Sequence, residues 1–120
     1  MKEFEQIFYA KTVYGQEEID AVVKSLSEST QMGEYSRQFE TKIADLFDKK
    51  YCLYVNSGSS ANLLALSILT NPHLRNKRIK TGDEIITPAV TWPTTVYPIS
   101  NVGAVPKFVD VNLDDFSINV

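Results

Sequence analysis

The run Asn56-Ser57-Gly58-Ser59-Ser60-Ala61 has residue types that can hold an anion. It follows a short apolar segment and precedes a long helical one, so it is predicted to join a strand to a helix. Free backbone N–H groups and the positive end of a helix dipole meet at such a junction. Gly58 omits the Cβ that would obstruct close approach, and the hydroxyls of Ser57, Ser59 and Ser60 can donate to phosphate oxygens. Neither a Walker A lysine nor the glycine spacing of a dinucleotide loop is present, which points to a single phosphate without Mg²⁺-nucleotide chemistry. Small residues also suit a strand-to-helix turn on steric grounds, so the motif alone leaves both readings open. Thr91-Trp92-Pro93-Thr94 follows the next predicted strand and brings Trp92 to the same carboxyl edge. Its ring can stack on a planar heteroaromatic group or fill a core.

Other chemistries find no support in the chain. Cys52 is the sole cysteine, so no disulfide or cysteine metal cluster can form within these residues. In the run Tyr51-Cys52-Leu53-Tyr54-Val55 it reads as a small buried hydrophobe. His73, also alone, sits beside Pro72 and reads as a surface histidine. The net charge is −3 and the basic residues are scattered, which argues against a nucleic-acid partner. The basic run from Arg75 to Lys80 reads as a solvated loop. Met1 to Gln6 is charged and predicts no leader peptide, and the apolar stretch at residues 61–69 is too short to span a bilayer. These features predict a cytoplasmic domain with no membrane partner.

The elements that must position the motif follow from periodicity. Ile19, Val22, Val23 and Leu26 fall on one helical face and predict a helix over 16–29. Phe39, Ile43, Leu46 and Phe47 predict a second over 36–48, with Ser36 as N-cap. Residues 51–56 read as a strand buried on both faces, and 59–70 as an interior helix. Residues 84–87 form a strand ending at Pro88, 94–101 a short helix, and 105–111 a strand whose Pro106 suits an edge. Strands separated by helices imply an α/β fold with a mostly parallel sheet. Ligands in such sheets bind beyond the carboxyl ends of the strands, here residues 56–60, 88–95 and 110–114.

Several segments occur in the order seen in one family. They are Gly15-Gln16-Glu17-Glu18, Gly33 with Phe39-Glu40, Asn56 to Ala61, Gly82-Asp83-Glu84-Ile85-Ile86-Thr87-Pro88-Ala89, Thr91-Trp92, and Gly103-Ala104-Val105-Pro106 to Phe108-Val109-Asp110-Val111. The chain thereby resembles the DegT/StrS family of aminotransferases and dehydrases acting on nucleotide-linked keto sugars. The resemblance implies a fold-type-I pyridoxal-phosphate (PLP) enzyme, with an αβα large domain around a mostly parallel sheet and an active site at a homodimer interface. It implies that Gly58, Ser59 and Ser60 hold the cofactor phosphate, that Trp92 lies against the pyridine ring, and that Gly33 and Tyr35 are near the substrate. Ser60 to Leu66, Pro72-His73-Leu74 and Pro93-Thr94-Thr95-Val96 are also similar to the 3-dehydrase branch, in which a histidine replaces the Schiff-base lysine.

By the same resemblance, residues 1–120 are the N-terminal part of the PLP-binding domain. Residues 1–48 form a helical segment and 49–120 the start of the αβα sheet. The Schiff-base lysine and the aspartate that holds the pyridine nitrogen protonated are expected beyond Val120. No lysine here matches that motif; Asp83 begins its strand at the wrong edge, and Asp110 reads as a turn residue. The expected reaction of the whole enzyme is transfer of an amino group from an amino-acid donor, such as glutamate, to the keto carbon of a nucleotide-diphospho-sugar, within deoxy- and amino-sugar biosynthesis for surface polysaccharide such as lipopolysaccharide. These residues alone are expected to be inactive. The alternatives are the pyridoxamine-phosphate (PMP)-dependent 3-dehydrase, a non-catalytic half that pairs with another polypeptide, and an unrelated phosphate-binding module.

Overall fold

Ile19, Val22, Val23 and Leu26 line one face of α1 (Gln16–Glu28) in the computed structural model, which describes residues 6, 8–28, 31 and 33–119. The helix starts where Glu18 reaches back, its Oε2 accepting from the Gly15 N–H at 2.7 Å. That is one half of a capping box. The bond from Gly15, then the Glu18 amide itself, holds the Glu18 carboxyl below its ordinary value.

The chain divides into two units, Met1–Tyr54 and Val55–Val120. In the first, α1 is followed by α2 (Glu34–Leu46), in which only Ala44 is buried. Ser36 is not its N-cap, because Gly33 takes that position and the helix begins two residues earlier. An acidic residue in the first turn suits the dipole, and the Glu34 carboxylate accepts from Gln38 and Arg37. Residues 51–56 are not a strand buried on both faces. Tyr51 and Leu53 are exposed, and no ladder partner exists among the described residues. The Tyr54 N–H donates instead to Glu40 Oε1 at 2.8 Å, and the Phe39 and Tyr54 rings meet edge to face at 5.3 Å. Cys52 is half-buried rather than enclosed.

In the second unit α3 (Gly58–Leu69) begins one residue before the sequence predicts, and Ser57 caps it. It is not an interior helix, since none of its residues is buried. A 3₁₀ segment (Pro72–Lys77) follows, with His73 exposed as expected. Then come β1 (Glu84–Pro88), α4 (Pro93–Asn101) and β2 (Val105–Val109), the last two residues shorter than predicted. The strands pair in parallel, Glu84 opposite Val105 through Pro88 opposite Val109. This is the predicted α/β arrangement of a parallel sheet with helices. Val111 leaves the sheet and bridges antiparallel to Ile118. Thr87, Pro98, Ile99 and Ala104 form the buried contact between β1, α4 and β2.

Two glycine turns close the amino edge of the sheet. Gly82 and Gly103 have φ of 88° and 79°, and the Gly82 N–H donates to the Gly103 carbonyl at 2.8 Å. A Cβ on Gly103 would also lie 3.1 Å from Thr81 Oγ1. Gly103→Ala is therefore expected to cost about 1 to 2 kcal/mol, from left-handed strain and crowding together. A urea denaturation midpoint equal to that of the parent protein would show that the turn does not depend on this conformation.

Candidate functional site

Ser57 stands in extended backbone at the end of the 51–56 segment, and its side chain organises the first turn of α3. Its Oγ accepts from the Ser60 N–H at 3.2 Å and donates to Ser60 Oγ at 3.1 Å, while its carbonyl accepts from Ala61 at 3.0 Å. The first turn of a helix has N–H groups without intrahelical partners. Here the cap uses that of Ser60, and those of Gly58 and Ser59 have no partner among the described residues. No acidic residue lies in this turn. A Cβ built on Gly58 meets nothing within 4 Å, so the space beside these donors is open. The assembly is neutral, rich in donors and located where the α3 dipole is positive, which suits a phosphate.

Ser59 and Ser60, with Leu63 of α3, line a cavity of about 220 Å³ with Thr94, Tyr97 and Asn101 of α4. Thr94 begins an i, i+3, i+7 series, so helical periodicity could have grouped these three, but nothing in the sequence pairs them with Ser59. Asn62 Nδ2 donates to the Thr94 carbonyl at 3.4 Å and ties the two helix starts together. Since α4 follows β1, both starts lie at the carboxyl edge of the sheet. Trp92 is the N-cap of α4 with Pro93 at the first helical position, and 68% of it is exposed. It does not fill a core, and it does not line the cavity that holds Ser59 and Ser60. Asp83 and Asp110 serve turns, accepting from the Lys80 and Val111 N–H groups.

Gly33 and Tyr35 belong to the first unit. They line a cavity of about 270 Å³ with Ser25, Glu28, Gln31 and Glu34. Tyr35 Oη donates to Glu28 Oε2 at 2.6 Å, linking the end of α1 to the start of α2. No helix among the described residues is long and apolar enough to cross a membrane.

A capped helix start with N–H groups unpartnered among the described residues, at the carboxyl edge of a parallel α/β sheet, with an aromatic residue at the next helix start, defines the class. The chain belongs to the DegT/DnrJ/EryC1/StrS aminotransferase family, which residues 13–120 match. It is 46% identical over 89 residues to a GDP-4-keto-6-deoxy-D-mannose 3-dehydratase of Escherichia coli O55:H7, covering 74% of this chain and 22% of that protein. It is 51% identical over 85 residues to a dTDP-4-dehydro-2,6-dideoxy-D-glucose 3-dehydratase of Saccharopolyspora spinosa, covering 71% and 18%. An E. coli GDP-4-keto-6-deoxy-D-mannose-3-dehydratase structure with bound hydrated PLP superposes with a TM-score of 0.80 at 40% identity, covering 92% of this chain and 28% of the other. The fold is thus part of the fold-type-I PLP large domain, and the chain spans about a fifth to a quarter of the curated relatives' length.

The Tyr35 phenol is held above its ordinary value of 10.0, first by donating to Glu28 and then by slight desolvation and the carboxylate charge. A raised tyrosine favours the fold below the ordinary pKa, and that contribution disappears as pH rises through the raised value. The difference between ultraviolet titrations of the parent and Tyr35→Phe proteins should show a phenol ionising above 10.0, returning toward it in Glu28→Gln. An ordinary value in the parent would mean that the hydrogen bond does not persist in solution.

Proposed function

We propose that this chain supplies the cofactor-phosphate cup and the stacking residue of a PLP- or PMP-dependent enzyme acting on nucleoside-diphosphate-linked 4-keto deoxyhexoses. The capped start of α3 carries the reading, because two of its N–H groups have no partner among the described residues and a Cβ on Gly58 would stand in open space. Gly58 and Ser59 would donate backbone N–H bonds to the phosphate, and the Ser59 and Ser60 hydroxyls would add to them. Trp92 would lie against the pyridine ring, and Gly33 and Tyr35 would be near the sugar. Once bound, the cofactor would supply the electron sink for bond breaking at the sugar carbons. The residues of this chain bind and orient it. The proposal includes a cytoplasmic homodimer that takes a nucleotide-diphospho-sugar and an amino-acid donor such as glutamate.

Within this reading, identities of 46% and 51% to two 3-dehydratases that use different nucleotides favour loss of the C3 hydroxyl. Amino transfer to the keto carbon is the second reading, supported by the family as a whole. Mass spectrometry of the product formed by the full-length protein from a nucleotide-linked 4-keto-6-deoxyhexose, PLP and glutamate separates the two. A sugar lacking one oxygen supports dehydration, and one in which an amine replaces the keto oxygen supports transfer.

Substitution separates binding from folding at the cup. Gly58→Ala introduces no clash and no left-handed strain, so stability should stay within about 0.5 kcal/mol. In the full-length protein it should nevertheless weaken PLP binding about tenfold, because the new methyl enters the phosphate space. Trp92→Ala should weaken PLP retention with the fold intact. If equilibrium dialysis finds PLP affinity unchanged in both variants, the cup is not at this helix start.

A further inference from the structure

Proline inside a helix removes the N–H that would bond the carbonyl four residues earlier. Pro98 is buried within α4, so it offers no donor to the Thr94 carbonyl. Asn62 Nδ2 occupies that place at 3.4 Å. An accepting carbonyl requires the amide nitrogen rather than its oxygen to face it.

The location of this bond gives it a consequence for the site. Asn62 lies one helical turn after Gly58, and Thr94 lies two residues after Trp92. The two helices also share the cavity that contains Ser59, Ser60 and Thr94. The hydrogen bond is thus a side-chain link between the helix that would hold a phosphate and the helix that begins after the residue that would lie against a ring. Asn62 is exposed, so satisfying its own amide does not require this partner.

We infer that Asn62 is a positioning residue. Bonding to the carbonyl left free by Pro98, it fixes the α3 start relative to the α4 start and thereby sets the spacing between the phosphate cup and Trp92. This inference rests on the PLP reading of the site. Asn62 does not line the cavity that holds Ser59 and Ser60, and it would act through both helices. A link at each end of a rigid ligand matters because misplacement of one anchor weakens the other, even where no contact to the ligand is lost.

The test uses the full-length protein with PLP, reading PLP affinity by equilibrium dialysis, circular dichroism in the cofactor absorption band, and thermal stability. Asn62→Ala improves helix propensity, so a loss of cofactor binding cannot come from a weaker α3. Its PLP dissociation constant should rise about fivefold, with altered dichroism. Pro98→Ala restores an N–H at position 98 and gives the Thr94 carbonyl an intrahelical donor. In the Asn62→Ala, Pro98→Ala double variant, thermal stability should recover while affinity and dichroism remain altered. Asn62→Gln, which can still donate, should retain part of the parent affinity. Recovery of affinity in the double variant would reduce Asn62 to a carbonyl partner and overturn the inference. Unchanged affinity and dichroism in Asn62→Ala would also overturn it, while leaving the PLP reading intact. A parent protein that binds no PLP would remove that reading and the inference together.

Discussion

Two parallel strands cannot be joined by a tight turn, because the chain must return to the amino edge before the second can start. That constraint organises the second unit. Between Pro88 and Val105 the return is made by α4, which starts at the carboxyl edge of β1 and runs back to the Gly103 turn. The register from Glu84–Val105 to Pro88–Val109 holds the ends of this crossover in place. The meeting of two helix starts at the carboxyl edge is then a result of topology. The start of α4 has to be there, and the α3 start is held beside it through Asn62 and Thr94.

The chemistry of the α3 start follows from what is absent as much as from what is present. Its first turn carries neither an acidic nor a basic side chain. Attraction for an anion at such a start would rest on backbone donors and hydroxyls rather than on a flexible charged arm. Ser57 shapes this further by taking the Ser60 N–H for its cap, so the amides without a partner among the described residues are those of Gly58 and Ser59. The small side chains in Ser57-Gly58-Ser59-Ser60 therefore have different roles: one caps, one leaves space and two offer hydroxyls.

Local signals account for the parts of the structure that were legible in advance. The four-residue apolar face of α1 lies where the periodicity puts it, β1 and β2 lie in the segments predicted as strands, and the run from Asn56 to Ala61 opens α3. The failures share a cause. Tyr51 to Asn56 has strand-forming residues, yet a strand exists only through partners that share its hydrogen bonds, and these residues find none among those described. The α3 helix is apolar almost all round, but burial needs layers on both sides and this unit covers too little of it. Ser36 is a good capping residue, but α2 already begins after Gly33, which places Ser36 inside the first helical turn.

The amino-acid sequence alone therefore determined the family, the α/β class and the place where α3 starts, because each depends on neighbours within a few residues or on the order of segments. Tertiary structure alone decided which residues meet: Thr94, Tyr97 and Asn101 facing Ser59, Trp92 exposed at a helix start, and Asn62 bonding the carbonyl that Pro98 leaves free. These pairings join positions about thirty residues apart. No local preference encodes such a contact, since it arises only when a crossover of fixed length and a parallel register bring two helix starts to the same edge.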